Sequence, residues 1–213
     1  KWWEGSYQRG GFTHGMTRGF PNSGGRHGDD GLKIGREGLT PIFDFIDHAT
    51  TEKKPFFVWY APFLPHTPHT PPEHLFKKYK AKGIASDHIA RYYAMVEWFD
   101  ETCGQLFARL EAKGLAHNTL VVYIGDNGWI QHPHQANRSA PRSKLTPYEG
   151  GHRTPIMVSW PGHVAPRLDR EHLASTIDFW PTLAALLKTP APASLPGLNL
   201  TDATAVARRT SLF

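Results

Sequence analysis

Three separated stretches of the chain carry side chains that could perform chemistry. The first is YIGDNGW, Tyr123 to Trp129, in which Asp126 and Asn127 directly follow an apolar run. A carboxylate and an amide carbonyl side by side offer two hard oxygen ligands, which suit Ca²⁺ or Mg²⁺ better than zinc. Because Asp, Asn and Gly are also the commonest turn residues, this stretch taken alone favours a plain turn.

The second stretch is PFLPHTPHTPPEH, where His66 and His69 stand in a loop stiffened by prolines. An imidazole held in such a loop could protonate a leaving group or bind an anion near neutral pH. A surface histidine in a proline-rich turn is the alternative for either residue when the stretch is taken in isolation.

The third stretch is SKLTPYEGGHRTP, in which Lys144 precedes a turn that Gly150 and Gly151 permit, and Arg153 follows that turn. An ammonium and a nearby guanidinium would together stabilise a tetrahedral oxyanion. For either cation alone, a solvated surface position is the alternative.

The composition narrows the class of protein. With 213 residues the chain can hold a sizeable apolar core, and its 20 glycines and 18 prolines favour long ordered loops over a helical bundle. No apolar run approaches the roughly 18 residues of a membrane-spanning helix, so no membrane partner is expected. The net charge of +5 would suit an anionic substrate. The basic residues are scattered, which indicates a solvated surface rather than a nucleic-acid-binding face.

Apolar runs predict the strands that would position these residues. Nearly continuous apolar segments at residues 55–61, in TLVVYIGDNG and in PIMVSWPG from Pro155, are typical of strands covered on both faces. Strands separated by helices or long loops predict an α/β fold with a largely parallel central sheet flanked by helices. In such sheets ligands gather beyond the carboxyl ends of the strands, which is where Asp126 and Asn127 fall.

Periodic apolar spacing predicts the helices. Apolar residues three and four positions apart predict a long helix from about Asp87 to Lys113. The single cysteine, Cys103, lies on its apolar stripe, which predicts a packing role rather than a reactive thiol. Shorter helices are predicted from a Thr40 cap to about Thr50, and from an Asp178 cap through Lys188.

The order of these segments and their residue motifs resemble those of the sulfatase family of the alkaline phosphatase superfamily. KPFFVWYAPFLPHTP followed by PPEH is similar to the family's apolar strand and its Pro-His-x-Pro loop. The segment from Tyr92 to GDNG resembles the family's long helix and the metal-binding strand end that follows it. KLTPYEGGHRTPIMVSWPG resembles the family's Lys-x-Thr-x-Tyr-Glu-Gly-Gly and Trp-Pro-Gly signatures. STIDFWPTLAALL resembles the family's next helix, so the resemblance spans about Lys1 to Leu198.

The resemblance implies roles for individual residues. Asp126 and Asn127 correspond to ligands of the active-site Ca²⁺, with Mg²⁺ the lesser alternative. His66, rather than His69, matches the histidine that contacts the sulfate and protonates the leaving oxygen. Lys144 matches the lysine that holds the sulfate, with Arg153 as a further substrate-binding cation. We therefore expect these separate pieces of chain to converge around one divalent ion and one tetrahedral group.

The chain also departs from the family pattern. The family nucleophile is a formylglycine made in a Cys/Ser-x-Pro-x-Arg motif, and no such string occurs here, so we expect the formylglycine in a missing N-terminal segment. KWWEG resembles a family Gly-Lys-Trp-His-x-Gly motif, which would make Lys1 a second catalytic and sulfate-binding lysine. Trp3 then replaces the family histidine, and an indole cannot relay a proton as an imidazole does.

The expected organisation is one partial sulfatase catalytic domain over residues 1–213, truncated at both ends. It would comprise a glycine-rich loop segment at 1–38, an α/β core at 39–189 and a proline-rich tail at 190–213 that leads towards a missing C-terminal subdomain. We expect no turnover from this fragment alone. Oligomeric state is not encoded in any recognisable pattern, and a periplasmic or secreted location follows only from analogy with the family.

The implied function of the parent enzyme is hydrolysis of sulfuric esters of small molecules or carbohydrates. One alternative is a phosphodiester or phosphonate hydrolase of the same superfamily, which shares the oxygen-metal crevice. The amide in DNG, where such relatives commonly have an Asp-His pair, suits calcium better. The other alternative is a non-catalytic module that binds anions or glycans.

Overall fold

The computed structural model describes residues 6–17, 33–190, 192 and 194–212. The chain divides into two compact units, which are described separately. The first unit comprises Lys1–Leu115 and Trp129–Ser143, and the second comprises Ala116–Gly128 and Lys144–Phe213. The expected single domain over residues 1–213 stays a prediction. Within the described ranges, no helix combines the length and the apolar character needed to cross a membrane.

The first unit is built on three helices: α1 (Thr40–Thr51), α2 (Glu73–Ala81) and α3 (Asp87–Ala112). The long helix predicted from its apolar spacing is confirmed as α3, which begins where the Ser86 hydroxyl accepts a hydrogen bond from the Ile89 N–H. The helix predicted from Thr40 is confirmed as α1, but its N-cap is Leu39, and Pro41 lies in the first turn. A proline is tolerated there because a first-turn N–H has no intrahelical partner.

The interior face of α3 is the core of this unit. Ala90, Ala94 and Met95 are fully buried along it, and Cys103 is half-buried on the same helix. Burial raises the pKa of the Cys103 thiol to about 11, so the sulfur stays protonated and unreactive near neutral pH. This agrees with the packing role predicted from its position on the stripe.

Residues 55–61 correct one expectation. The run was predicted to be a strand covered on both faces, but it forms no strand within the described structure. Phe57 and Trp59 are 58% and 51% exposed, whereas their neighbours Phe56 and Val58 are half-buried. Apolar composition predicts burial, but a strand also requires a neighbouring segment to pair with its backbone groups.

The second unit contains a two-stranded sheet made by β1 (Val121–Ile124) and β2 (Ile156–Ser159). The strands pair antiparallel, with Val121 opposite Ser159 and Ile124 opposite Ile156. The predicted strands are therefore confirmed, but the expected parallel pairing is not found among the described residues. Parallel neighbours usually need a crossover helix of about a dozen or more residues. The helix between these two strands in the described chain, α4 (Glu149–His152), has four residues.

Two further helices, α5 (Phe179–Leu186) and α6 (Ala203–Arg208), complete the second unit. One face of the sheet and the inner face of α5 line a common apolar cavity, whose walls include Val122, Ile124, Ile156, Phe179 and Leu183. Burial of these side chains, at about 25 cal/mol per Å² of apolar surface, is the main attraction between sheet and helix.

Asp178 is the buried charge at the centre of the second unit. Its carboxylate accepts hydrogen bonds from the N–H groups of Ser175 and Leu198, each at 2.8 Å. The Arg209 guanidinium donates two more, at 2.5 and 2.7 Å. The helix predicted from an Asp178 cap through Lys188 is confirmed as α5, with Asp178 at the N-cap position, although α5 ends at Leu186. The Asp178 side chain makes no cap hydrogen bond to α5, but caps the preceding 3-10 turn, Thr176–Asp178, and pairs with Arg209 after α6.

These bonds decide the charge state of Asp178. Burial alone would raise the pKa of the carboxyl, but the Arg209 guanidinium and the two N–H groups outweigh burial and hold the pKa below its ordinary value. Because the folded pKa is the lower one, the group stabilises the fold above about pH 4. That contribution is lost as the pH falls through the folded pKa.

We expect Asp178→Ala to destabilise the protein by about 3 kcal/mol, because it leaves the Arg209 guanidinium buried without its partner. Urea unfolding measured at neutral pH would give the difference in free energy. Asp169→Asn is the matched control, since Asp169 also bonds a nearby loop but belongs to an exposed pair with His172. Equal losses in the two variants would contradict a special role for the buried pair.

Candidate functional site

The turn after β1 carries the predicted metal ligands, and main-chain contacts hold it against the segment around α4. The Gly125 N–H donates to the Pro155 carbonyl at 3.3 Å, and the Gly128 N–H donates to the Gly151 carbonyl at 2.9 Å. The Thr154 hydroxyl donates to the Gly125 carbonyl at 2.8 Å. The structure therefore brings together two stretches that are separate in the sequence, YIGDNGW and YEGGHRTP.

Glycine is required where these stretches meet. A Cβ on Gly128 would lie 2.2 Å from the Gly150 carbonyl oxygen, which is a main-chain atom that cannot rotate away. A Cβ on Gly125 would lie 2.9 Å from the Cβ of Thr154. Gly150, which the sequence predicts to lie in a turn, lies instead in α4. The part played by Thr154 was missed, because a single threonine gives no recognisable signal in the sequence.

Asp126 and Asn127 present oxygen ligands from this turn. The Asp126 side chain is exposed and that of Asn127 is half-buried. The Asn127 amide nitrogen donates to the Gly128 carbonyl at 2.9 Å, so its carbonyl oxygen is the atom suited to a cation. This donor chemistry fits a hard cation such as Ca²⁺, which takes six to eight oxygen ligands. Across the described residues no group of three or more His, Cys, Asp or Glu could hold a metal ion, so further ligands would have to come from elsewhere.

The two candidate cations of the third stretch differ in their surroundings. Lys144 is half-buried in the second unit. Arg153 is exposed, and its guanidinium donates to the Glu149 carboxylate at 2.8 Å, one turn earlier on α4. An exposed pair of this kind contributes little to stability. The predicted contacts of Lys144 and Arg153 with sulfate stay predictions.

His66 belongs to the first unit and has a defined ring orientation. Its Nδ1 lies 2.9 Å from the Thr67 carbonyl oxygen and 3.3 Å from the Thr67 hydroxyl. A carbonyl can only accept, so this contact is a hydrogen bond in the tautomer that carries its proton on Nδ1, and that tautomer leaves Nε2 as the nitrogen for proton transfer. The ring also packs edge-on against Phe63, with centroids 4.9 Å apart. His66 is therefore held in a way that suits proton transfer through Nε2.

His69 has a different environment. Its ring is buried against Tyr92 and Trp129, and its backbone N–H donates to the Asn137 side-chain oxygen at 2.8 Å. Burial lowers the pKa of His69 to about 4, with smaller effects from His66 and Arg36 in the same direction. A histidine that stays neutral at working pH cannot act as a proton donor. This contrast is consistent with the choice of His66 that the family resemblance implies, and the role of His66 stays a prediction.

Two predictions about site residues lie beyond what the structure tests. Lys1 and Trp3 fall outside the described residues. Convergence of His66 with Asp126 and Lys144 stays a prediction, because His66 belongs to the first unit and the other two belong to the second.

Comparisons with known proteins identify relatives of the chain. The family model described as Sulfatase matches residues 36–189. A sulfatase of Formosa agariphila is 37% identical over 166 residues, which covers 71% of this chain and 30% of that protein. Arylsulfatase A of Homo sapiens is 33% identical, and the match covers 80% of this chain and 33% of that protein. The chain thus spans about a third of the length of the curated relatives it matches.

A solved structure shares the fold. The crystal structure of Ps i-CgsB in complex with k-i-k-neocarrahexaose superposes with a TM-score of 0.65 at 30% identity, covering 78% of this chain and 36% of that one. The predicted fold class, the alkaline phosphatase-like α/β fold, is thereby confirmed.

We expect Gly128→Ala to destabilise the protein by about 1–3 kcal/mol, because the added methyl group must displace the Gly150 backbone. Gly104→Ala is the matched control. Gly104 lies inside α3 with open space around it, so alanine there should be neutral or stabilise by up to about 1 kcal/mol. Denaturant unfolding of both variants would measure this, and equal stabilities would refute the close approach.

We expect His69 to stay neutral down to about pH 4, which a ¹H–¹⁵N NMR titration of histidine-labelled protein would detect. The unfolded chain binds this proton near pH 6.5, so His69 lowers the stability progressively as the pH falls from about 6.5 to 4. His69→Gln should remove that part of the acid sensitivity, whereas the same change at exposed His163 should not. Protonation of His69 near pH 6 would contradict the expected burial.

Proposed function

The chain belongs to the sulfatase family, and we propose that the protein containing it hydrolyses sulfate esters: R–O–SO₃⁻ and water give R–OH, SO₄²⁻ and a proton. The observation that carries this proposal is the extent of the family match. Residues 36–189 include the His66 loop, the Asp126 turn and Lys144, so every described candidate stretch falls within it. The fixed turn after β1 adds support, because oxygen ligands act well only when their backbone is held in place.

We propose sulfated carbohydrates or small sulfated molecules as the substrate class. The solved relative Ps i-CgsB binds k-i-k-neocarrahexaose, and arylsulfatase A is a curated relative. The substrate's sulfate is anionic, which the net charge of +5 and the candidate lysine suit.

Membership of the family implies a metal ion and a formylglycine. We propose Ca²⁺ as the ion, because Asp126 and Asn127 offer a carboxylate and an amide oxygen rather than nitrogen or sulfur. When bound, the ion would polarise the sulfate ester as a Lewis acid, and the formylglycine of a segment outside this sequence would supply the nucleophile.

The residues of this chain would act by charge and by proton transfer. The Lys144 ammonium would offset negative charge on the sulfate oxygens, with Lys1 and Arg153 as further cations at the substrate. His66 would donate its Nε2 proton to the leaving oxygen, while its Nδ1–H stays bonded to the Thr67 carbonyl. That bond would hold the ring in one orientation through the transfer.

We expect substitutions in the complete protein to separate these roles. Asp126→Ala and Lys144→Ala should each lower kcat/KM for an aryl sulfate by about 100-fold or more, because the first removes a proposed Ca²⁺ ligand and the second removes a cation that offsets charge on the sulfate. His66→Gln should cost about 100-fold with a poor leaving group such as a sugar alcohol. It should cost much less with an acidic phenol, which departs without a proton. Asp44→Ala and Lys77→Ala replace exposed residues of α1 and α2 and serve as matched controls.

Three measurements distinguish the alternatives. Sulfate release that a chelator abolishes and Ca²⁺ restores supports the proposal. Faster hydrolysis of the matching phosphodiester than of the sulfate would assign the protein to the phosphodiester or phosphonate hydrolases. Binding of a sulfated oligosaccharide without any product, in a protein loaded with metal, would identify a binding module instead.

A further inference from the structure

The loop that carries His66 has an excess of hydrogen-bond acceptors. We name residues 62–72 (PFLPHTPHTPP) the proline loop. Its prolines stand at positions 62, 65, 68, 71 and 72. A proline has a carbonyl but no N–H, so the backbone of this loop offers more acceptors than donors. Carbonyl groups turned into the protein therefore need donors from another segment.

Arg36 supplies these donors. Its Nε and Nη2 atoms donate to the Phe63 carbonyl at 3.2 and 2.9 Å. Nη2 also lies within hydrogen-bond distance of the His66 and Pro68 carbonyls, at 3.1 and 3.2 Å. Nη1 donates to the Thr70 hydroxyl at 3.1 Å. One guanidinium thus bonds to the proline loop before, at and after His66.

Arg36 is itself held in place on the other side. Its guanidinium lies over the ring of Trp98 on α3, 5.7 Å from the ring centroid. The preceding Gly35 has φ +82°, and a Cβ there would lie 2.5 Å from the Tyr60 hydroxyl, so the turn approaches the Tyr60 side chain closely. Arg36 therefore links the proline loop to the turn at Gly35 and to α3.

We propose that Arg36 is a positioning residue for His66: it holds the proline loop in the shape that directs the His66 Nε2 to the leaving oxygen. Two of the carbonyls it bonds belong to His66 itself and to Phe63, whose ring packs on the His66 ring. Release of either carbonyl would let the imidazole turn. The proposal rests on the proposed function, because it assigns Arg36 to the same proton transfer.

The planar guanidinium is essential to this role. Arginine presents five N–H donors in a fixed fork, whereas a lysine ammonium is a point charge with three. A lysine at position 36 could bond one or two carbonyls, but it could not bridge the Phe63, His66 and Pro68 carbonyls while also bonding Thr70. Retention of the charge alone should therefore restore little of the positioning.

The decisive experiment is a double-mutant cycle in the complete, metal-loaded protein. Arg36→Met should lower kcat by about 10- to 100-fold on a sulfate ester with a poor leaving group, with little change in KM. Arg36→Lys should show most of this loss. If Arg36 acts through His66, Arg36→Met combined with His66→Gln should be no slower than His66→Gln alone. If the fold losses in kcat of the two single variants multiplied in the double variant, the proposal would be overturned.

A matched control separates positioning from general stability. Arg109 lies in the same unit, pairs with Asp47 and lies over the Phe43 ring. Arg109→Met should lower the melting temperature, as Arg36→Met should, but leave kcat on both leaving groups unchanged. A loss of kcat in Arg109→Met equal to that in Arg36→Met would also overturn the proposal, because any destabilisation would then account for it.

A second measurement does not depend on turnover. The ¹⁵N shifts of His66 report whether Nδ1 carries the proton, as its bond to Thr67 requires. Arg36→Met and Arg36→Lys should both change these shifts towards those of a freely rotating imidazole, and Arg109→Met should not. If the wild-type protein releases no sulfate, the proposed function fails while this measurement still tests Arg36. Unchanged His66 shifts in both Arg36 variants would refute the positioning role.

Discussion

The close approach of two backbones, at Gly128 and Gly150, is the constraint on which the candidate metal ligands depend. A glycine at position 128 lets its N–H reach the Gly151 carbonyl, and any side chain there would meet a main-chain oxygen. The turn with Asp126 and Asn127 is thus held by groups that have few alternative positions. Side-chain oxygens on such a turn lose little entropy when they bind a cation, which favours binding.

The first unit holds its candidate residue by another means. Prolines remove backbone freedom from the loop around His66, but they also remove the donors that would satisfy its carbonyls. A single arginine offsets that deficit with a fixed array of N–H groups. Glycine allows close contact in one unit, and proline with arginine provides stiffness in the other. Both arrangements reduce the number of conformations open to a side chain with a proposed chemical role.

Two buried ionisable side chains of the described chain, Asp178 and His69, are kept in opposite charge states by their surroundings. Asp178 keeps its charge because four donors surround it, two of them on Arg209. His69, packed between aromatic rings, has a pKa of about 4 and remains neutral. Such groups cost stability when their partners are lost, and they therefore specify how loops and helices must pair.

The sequence by itself determined the periodic elements, the family and the identity of the candidate residues. Local patterns of the sequence do not depend on which segments pack together in the fold. They include the apolar spacing in α3, the apolar runs of β1 and β2, and the order of the motifs. Short helices such as α2 were missed, because nine residues after a proline give too little periodicity to recognise.

Only the tertiary structure decided the direction of strand pairing, the exposure of Phe57 and Trp59, and the partners of the candidate residues. The contacts of Thr154 with Gly125 and of Arg36 with the proline loop join residues about 30 positions apart. Such contacts depend on which surfaces meet once helices and loops have packed. The type of a single residue does not determine its tertiary contacts, since an arginine or a threonine can equally be exposed to solvent.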